Sequence, residues 1–289
     1  MIRPRRSVLY MPGSNARALE KAASLPADTL ILDLEDAVAP DAKIMARAQV
    51  CDAVRARKFG KREVVIRVNA LSTPWGADDL TAAAECDPDA ILIPKVSQAG
   101  DLSDAATRLA GRRSEMALWA MVETPLAILN LAAIASAGGR LACLVMGTND
   151  LIKELRGHHT PDRMNLAGAL GLSVAAARAY SLAVIDGVFN DIDDGAAFAR
   201  CCQQARAFGF DGKTLIHPSQ IDPCNEIFAP SPAEVEQARR ILAAFDLPEN
   251  RDKGAIALDG RMVERLHAAV ARQTVELADA IAALGPGAP

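Results

Sequence analysis

The stretch ALWAMVETPLAILNLAAIASAGGRLACLVMGTND, residues 117–150, decides the fold. It begins with one apolar run, Ala117–Val122, and contains a second, Leu141–Met146, close to its end. Between them, the segment Pro125–Ala137 has the composition of a helix, and two consecutive glycines end it. Short aliphatic runs on either side of a helical segment predict a strand, a helix and a second strand.

An acidic residue follows each of these two predicted strands, Glu123 after the first and Asp150 after the second. Parallel strands end at the same edge of a sheet, and ligands bind at that edge. Two carboxylates there, with Thr148 and Asn149 beside one of them, suit a hard divalent cation such as Mg2+. The alternative is that each acid caps the helix that follows it. The residues alone leave both interpretations open.

Short aliphatic strands recur along the chain and alternate with helical segments. The eight predicted strands are Ser7–Met11, Thr29–Leu34, Glu63–Val68, Ala90–Ile93, Ala117–Val122, Leu141–Met146, Leu182–Asp186 and Lys213–Ile216. A (β/α)8 TIM barrel is the simplest closed arrangement of eight such units. The alternative is an open doubly wound sheet, which predicts a glycine-rich fingerprint after the first strand. The sequence there, MPGSNA, does not match G-x-G-x-x-G.

Charged residues also stand at the ends of the second and third predicted strands. Asp33, Glu35 and Asp36 crowd the end of the second, where they repel one another unless a cation or hydrogen-bond donors offset their charge. We expect at least one of them to point inward and at least one other to act as a cap. Arg67 lies within the third strand, so it needs a carboxylate partner from the protein or from a substrate. We favour the substrate.

The first predicted helix carries two basic residues, Arg17 and Lys21, four positions apart and therefore on one face. Cations on the first turns of a helix attract phosphate. The alternative is a basic face that is simply solvated.

Composition narrows the class of protein. The chain has 289 residues and a formal net charge of −4, so its acidic balance argues against a nucleic-acid surface. No apolar run reaches the roughly 18 residues needed to cross a bilayer, and we expect no membrane partner and a cytoplasmic protein. The six cysteines show no CxxC spacing, which indicates reduced and mostly buried thiols.

The C-terminal region lies outside the eight-fold pattern. We predict a barrel catalytic domain over residues 1–246 and a C-terminal segment over residues 247–289. The first domain ends with a helix, Pro232–Phe245. The second has two short arms around Asp259 and Gly260, followed by a helix that ends at Leu284. Such an addition usually serves as a lid or an oligomer contact.

Seven motifs, in one order, resemble a known family. They are RSVLYMPGSN, LDLEDAV, IRVN, IPK, VETPLAI, MGTNDL and GKTLIHPSQI, and the resemblance covers roughly residues 5–230, with a tail that also looks similar. The chain resembles the citrate lyase beta-subunit-like proteins, a group that includes malyl-CoA and citramalyl-CoA lyases. The resemblance implies a Mg2+-dependent (β/α)8 enzyme, homotrimeric or homohexameric, that cleaves or forms a carbon–carbon bond between an acyl-CoA and a small 2-oxo acid.

The same resemblance implies roles for individual residues. Glu123 and Asp150 match the metal ligands, and Arg67 matches the residue that holds the carboxylate of the oxo acid. Asp36 matches an acid near the metal. The positions expected to contact the rest of the substrate are Gly147 and Thr148 beside the oxo acid, and Arg17 and Lys21 beside the CoA.

Glu264 is the position at which the chain departs from the lyase pattern. The lyases carry a G-x-M-I-D motif, whose Asp comes from a neighbouring subunit and protonates the thioester enolate. The corresponding sequence here is GRMVE, residues 260–264, so Glu264 stands in place of Asp. The extra methylene moves the carboxylate by roughly an ångström, a displacement that can change the rate about a hundredfold.

Four functions therefore compete. The leading hypothesis is a Mg2+-dependent lyase of a 3-hydroxy-acyl-CoA such as malyl-CoA or citramalyl-CoA. The second is a malyl-CoA thioesterase that uses the same site, which fits the Glu264 departure. The third is a citrate lyase beta subunit that acts on the thioester of a carrier protein. The fourth is a barrel that binds CoA without catalysis.

Overall fold

The computed structural model describes residues 2–111 and 116–285, and a closed barrel of eight parallel strands dominates it. The barrel strands are β1 (Ser7–Pro12), β2 (Thr29–Asp33), β3 (Glu63–Arg67), β4 (Ala90–Ile93), β5 (Ala117–Val122), β6 (Leu141–Met146), β7 (Ala183–Asp186) and β8 (Gly212–Leu215). Each strand pairs with the next, and β8 pairs with β1. The predicted (β/α)8 barrel is therefore confirmed, and the open-sheet alternative is wrong.

Twelve α-helices accompany the strands in the described residues. They are α1 (Ala16–Ala22), α2 (Lys43–Arg55), α3 (Gly76–Cys86), α4 (Ala99–Arg108), α5 (Pro125–Leu129), α6 (Leu131–Ala135), α7 (Thr148–Glu154), α8 (Ala167–Ala179), α9 (Gly195–Phe208), α10 (Ile221–Phe228), α11 (Pro232–Asp246) and α12 (Arg265–Leu284). No helix among them is long and apolar enough to cross a membrane. The single helix predicted over Pro125–Ala137 is wrong, because Asn130 divides it into α5 and α6.

Alternate residues of β1 to β7 enter two different apolar clusters. In β2, Ile31 belongs to the inner cluster, while Leu30 and Leu32 belong to the larger cluster that includes helix residues. This is the period of two expected of a strand buried on both faces. The inner cluster contains one tryptophan, Trp119, and otherwise small or aliphatic side chains, consistent with the low aromatic content of the chain.

The inner faces of β2 and β3 continue into charged residues at their carboxyl ends. Asp33 lies two residues after Ile31 in β2, and Arg67 lies two residues after Val65 in β3. Because side chains two positions apart share a face, these charged groups stand directly above the apolar interior of the barrel. The fold thus gathers the ends of separate strands into one place.

The C-terminal region forms a second compact unit. The barrel unit comprises residues 5–228, and the second comprises residues 2–4 and 229–285. In the second, α11 and α12 pack with an antiparallel hairpin of β9 (Ala255–Leu258) and β10 (Arg261–Glu264), whose turn holds Asp259 and Gly260 at positive φ. The predicted pair of arms is confirmed. Helix α11 packs within the C-terminal unit, which begins at residue 229. The predicted boundary between a catalytic domain and a C-terminal segment at residues 246/247 stays a prediction.

All six cysteines are free and buried, as the sequence predicts.

Candidate active site

A cavity of about 310 Å3 opens at the carboxyl ends of the barrel strands. Its lining residues come from strand ends and the loops that follow them. They are Tyr10, Asp33, Asp36, Ala37, Arg67, Met121, Glu123, Met146, Gly147, Thr148, Asn149, Asp150, Val188, Thr214 and Ile216. Eight of the candidate residues named from the sequence are among them: Asp33, Asp36, Arg67, Glu123, Gly147, Thr148, Asn149 and Asp150.

Glu123 directly follows β5, and its side chain is fully buried. Its Oε1 accepts a hydrogen bond of 2.7 Å from the main-chain N–H of Lys95. Its Oε2 has no hydrogen-bond partner among the described residues. Burial, reinforced by the nearby charge of Glu35, raises the pKa of Glu123 to about 7. One oxygen of this carboxylate is therefore unsatisfied in a place that water reaches poorly.

Asp150 lies in the first turn of α7, and its side chain is 29% exposed. The residue at the start of that helix is Gly147, which has no side chain to cap it. The helix after Glu123, α5, is capped instead by the hydroxyl of Thr124, which accepts from the N–H of Ala127 at 3.0 Å. The alternative that Glu123 and Asp150 are helix caps is therefore wrong.

Arg67 forms a two-pronged ion pair with Asp33, in which Nε–Oδ1 and Nη2–Oδ2 are both 2.6 Å. Its Nη1 also lies 3.0 Å from Glu35 and 3.2 Å from Asp36. Burial alone would raise the pKa of Asp33, but Arg67 outweighs it and lowers that pKa. Arg67 therefore has a carboxylate partner from the protein itself. It also lines the cavity, and its predicted contact with a substrate stays a prediction.

The three acids at the carboxyl end of β2 differ in environment. Asp33 and Glu35 are buried, whereas the side chain of Asp36 is 59% exposed at the edge of the cavity. Asp33 both points inward to Arg67 and accepts from the N–H groups of Glu35 and Ala37, at 2.9 and 3.0 Å. The prediction that one acid points inward is confirmed. The prediction that a different acid caps the following main chain is not, because Asp33 itself both pairs with Arg67 and accepts these main-chain hydrogen bonds.

Lys95 is a site residue that sequence reasoning did not single out. Its Nζ lies 3.3 Å from Glu35 and 3.9 Å from both Glu123 and Asp150. Burial alone would lower its pKa, but these carboxylates, Glu123 foremost, outweigh burial and raise it. The available signal was its position at the end of β4, one strand before the strand that presents Glu123.

Tyr10 was also missed as a cavity residue. The ring of Tyr10 lies beneath the guanidinium of Arg67, with 4.8 Å between the guanidinium carbon and the ring centre. Burial raises the pKa of Tyr10 above its usual range, so its hydroxyl stays protonated. The signal was strand alternation: Tyr10 is two residues after Val8, which lies in the inner cluster.

Three predicted residues lie outside the cavity lining. Arg17 and Lys21 are exposed on α1, and Lys21 occupies the last turn of that short helix rather than its beginning. Both cations lie within the two turns of this helix, and a contact of either with CoA stays a prediction. Glu264 ends β10 in the C-terminal unit, where its N–H donates to Nδ1 of His267 at 2.9 Å.

The donors present suit a hard cation. Glu123 and Asp150 offer oxygen only, and one buried oxygen of Glu123 lacks a partner. Among the described residues, no group of three or more His, Cys, Asp or Glu side chains is arranged to hold a metal ion. These two carboxylates would therefore leave most of the coordination sphere to water and substrate, which is common for Mg2+.

Comparison with known proteins places this geometry in context. The family model described as HpcH/HpaI aldolase/citrate lyase matches residues 6–218. A (3S)-malyl-CoA thioesterase of Cereibacter sphaeroides is 51% identical over 280 residues, which are 97% of this chain and 96% of the relative. The citrate lyase subunit beta of Escherichia coli is 35% identical over 269 residues, which are 91% of this chain and 89% of the relative.

A solved structure extends the comparison. CitE from Mycobacterium tuberculosis, in complex with magnesium, acetoacetate and coenzyme A, matches with a TM-score of 0.76 and 31% identity. The match covers 94% of this chain and 97% of that protein. The predicted family resemblance is confirmed: the chain belongs to the HpcH/HpaI aldolase/citrate lyase family.

Proposed function

We propose that this protein is a Mg2+-dependent thioesterase that hydrolyses (3S)-malyl-CoA. The observation that carries the proposal is the set of Glu123, Asp150 and Arg67 in one cavity at the carboxyl ends of the barrel strands. The identity to a (3S)-malyl-CoA thioesterase over nearly the whole chain supports the choice of reaction. The magnesium and coenzyme A bound to the similar CitE structure support the choice of cofactor and substrate class.

Glu123 and Asp150 would hold the cation through their carboxylate oxygens. When bound, Mg2+ supplies a Lewis acid that polarises substrate oxygens and neutralises charge that develops on them. A bound cation would satisfy Oε2 of Glu123, which has no hydrogen-bond partner among the described residues; a buried oxygen without a partner is unfavourable in free energy.

Arg67 orients the substrate in this proposal. Its guanidinium is fixed by the ion pair with Asp33 and by the ring of Tyr10, so its orientation does not depend on a bound ligand. A fixed guanidinium is suited to a carboxylate. It would therefore bind the free carboxylate of the malyl group and leave the thioester carbonyl exposed to water.

Hydrolysis requires water to attack the thioester carbonyl carbon, after which the carbon–sulfur bond breaks and the CoA sulfur receives a proton. Two acids are candidates for moving that proton. Asp36 is largely exposed at the edge of the cavity, and Glu264 stands at the lyase position for a proton donor. The longer side chain of Glu264 suits proton transfer with water better than protonation of an enolate held at a defined distance.

A second candidate function is the carbon–carbon lyase reaction of the family. The identity to the citrate lyase subunit beta of Escherichia coli favours it. The set of Arg67, Glu123 and Asp150 fits this reaction as well, because a 2-oxo acid product needs a cation for its carboxylate. Malyl-CoA or citramalyl-CoA would then give an acyl-CoA and a 2-oxo acid. The homotrimeric or homohexameric state and the cytoplasmic location stay predictions alongside either reaction.

Product analysis separates the two functions. The protein is incubated with (3S)-malyl-CoA and Mg2+, and the products are identified by mass spectrometry. We expect malate and free CoA. Acetyl-CoA and glyoxylate would establish the lyase instead, and turnover of a carrier-protein thioester alone would indicate a citrate lyase subunit.

A metal-ligand variant tests the assignment within the same assay. Glu123→Gln keeps the shape of the side chain and removes its charge, so Mg2+-dependent turnover should fall by at least about a hundredfold. Circular dichroism checks that the barrel is retained. Full activity of the wild-type protein in excess chelator would contradict the role of the metal.

A further inference from the structure

Lys95 is the one basic side chain of the described residues that lies within 4.0 Å of either Glu123 or Asp150. Its Nζ is within hydrogen-bond distance of Glu35, at 3.3 Å, and is 3.9 Å from the nearer oxygen of each proposed metal ligand. The side chain is 41% exposed, so it has room to move toward solvent. Its ammonium group therefore occupies the region between three carboxylates.

The main chain of Lys95 contacts Glu123 independently of the side chain. With φ at 54°, Lys95 adopts the left-handed conformation, which is unfavourable for a residue that has a Cβ. In this conformation its N–H donates to Oε1 of Glu123 at 2.7 Å. A substitution at position 95 can thus remove the ammonium group and leave the main-chain support of Glu123 in place.

Without this lysine, Glu123 and Asp150 would have no positive charge within 4.0 Å among the described residues. Arg67 is engaged by both oxygens of Asp33 and also lies 3.0 Å from Glu35. Glu123 is fully buried, and a buried carboxylate without a counter-charge is strongly destabilising. Among the described residues, only Lys95 offers Glu123 and Asp150 a positive charge within 4.0 Å.

We propose that the ammonium group of Lys95 is the resident counter-cation of Glu35, Glu123 and Asp150, and that a divalent cation must replace it at Glu123 and Asp150. This inference rests on the proposed metal site. Two cations that share the same two carboxylates repel each other, so metal binding displaces the ammonium group. Glu35 remains its partner afterwards. Lys95 is thus a positioning residue that holds the empty site together and weakens its affinity for the metal.

The sign of a change in metal affinity tests this proposal. Chelator-treated wild-type protein and the Lys95→Met variant are titrated with Mg2+ by calorimetry, and their thermal midpoints are measured with and without Mg2+. We expect Lys95→Met to bind Mg2+ about three- to tenfold more tightly, to unfold at a lower temperature without metal, and to gain more from Mg2+ than the wild type does.

Two control variants separate charge from position. Lys95→Arg keeps the charge, and its Kd for Mg2+ should stay within about twofold of the wild-type value. Lys153→Met removes a lysine charge from an exposed position on α7, the helix that carries Asp150, and should also leave the Kd within about twofold.

Other results of the Mg2+ titration would overturn the proposed role of Lys95 or refute only the substrate. If Lys95 only supported the structure, Lys95→Met would bind Mg2+ more weakly, and either weaker or unchanged binding would overturn the proposal. A wild-type protein that binds no Mg2+ would overturn both this proposal and the metal site. Mg2+ binding with the expected change in Lys95→Met, but without hydrolysis of (3S)-malyl-CoA, would sustain the Lys95 role and refute only the proposed substrate.

Discussion

Gly147 explains how the acids after β5 and β6 come to face the same cavity. A Cβ at this position would lie 2.4 Å from both the Cβ and the Oε2 of Glu123, far inside contact distance. The N–H of Gly147 also donates to the carbonyl of Val122, at 3.0 Å. The main chain after β6 therefore passes so close to Glu123 that a residue without a side chain is required there.

Gly147→Ala should displace the carboxylate of Glu123. We expect the Kd for Mg2+ to rise by at least about tenfold and the turnover of (3S)-malyl-CoA to fall by about a hundredfold, because small displacements of reacting groups have large effects. Calorimetry and the product assay measure the two quantities.

Gly168→Ala is the matched control, since a Cβ there meets open space in the first turn of α8. It should leave both quantities unchanged and stabilise the protein by about 0.5–1 kcal/mol. An unaltered Kd in Gly147→Ala would show that the proximity to Glu123 is unimportant for the metal.

At the scale of elements, the segment after β5 is defined by contacts with the loop after β4. The hydroxyl of Thr124 caps α5 and also lies 2.9 Å from the hydroxyl of Ser97. Asn130 ends α5 and donates its side-chain amide to the carbonyl of Ser97 at 2.9 Å. The sequence predicts one continuous helix here because its apolar periodicity continues past Asn130, and periodicity carries no information about this tertiary contact.

Removal of the cap should weaken this segment measurably. Thr124→Ala leaves the N–H of Ala127 without its acceptor, and we expect a loss of about 1 kcal/mol, seen as a lower thermal midpoint. Thr124→Ser retains the hydroxyl and should lose less than half as much. Equal losses in the two variants would indicate that the methyl group, rather than the cap, supports α5.

At the scale of the whole molecule, a buried charge cluster stands where the last strands close the barrel. Lys213 on β8 is fully buried and lies 2.7 Å from Asp186 on β7. Arg163, from the segment before α8, binds both oxygens of Asp186 at 2.9 and 2.8 Å. Burial alone would raise the pKa of Asp186, but Lys213 and Arg163 outweigh it and lower that pKa.

This cluster predicts a specific acid dependence of stability. Because the folded pKa of Asp186 lies below its unfolded value of about 4, the stabilisation is present above that value and is lost as the pH falls through the folded pKa. Asp186→Asn should lower the thermal midpoint at pH 7 by on the order of 10 °C, since it leaves Lys213 buried without its partner. The difference from wild type should shrink below about pH 4; parallel curves down to pH 3 would contradict the assignment.

The proposed role of Glu264 also belongs to this scale, because the resemblance implies that a neighbouring subunit supplies it. If Glu264 rather than Asp36 moves the proton, Glu123→Gln and Glu264→Gln should each be nearly inactive alone. When they are co-expressed, random mixing should place an intact Glu123 beside an intact Glu264 in about a quarter of the sites. Recovery of about that fraction of wild-type turnover is expected, and no recovery in verified mixed oligomers would refute action between subunits.

The strands were predictable because a parallel barrel buries both faces of each one, which leaves visible aliphatic runs. The bounds of β4, β5 and β6 agree with the prediction, and the other barrel strands differ from it by a residue at one or both ends. The same pattern located Glu123 and Asp150, since each lies just beyond a strand that the sequence shows clearly.

The sequence by itself thus determined the eight strands, their order and the acids that end them, because local hydrophobicity and chain order carry that information. Only the tertiary structure decided which charges meet. Arg67 pairs with Asp33 from 34 residues away, and Lys95 reaches Glu123 across 28 residues. Such pairings depend on distances in space, since electrostatic energies and burial follow the geometry of barrel closure rather than separation along the chain.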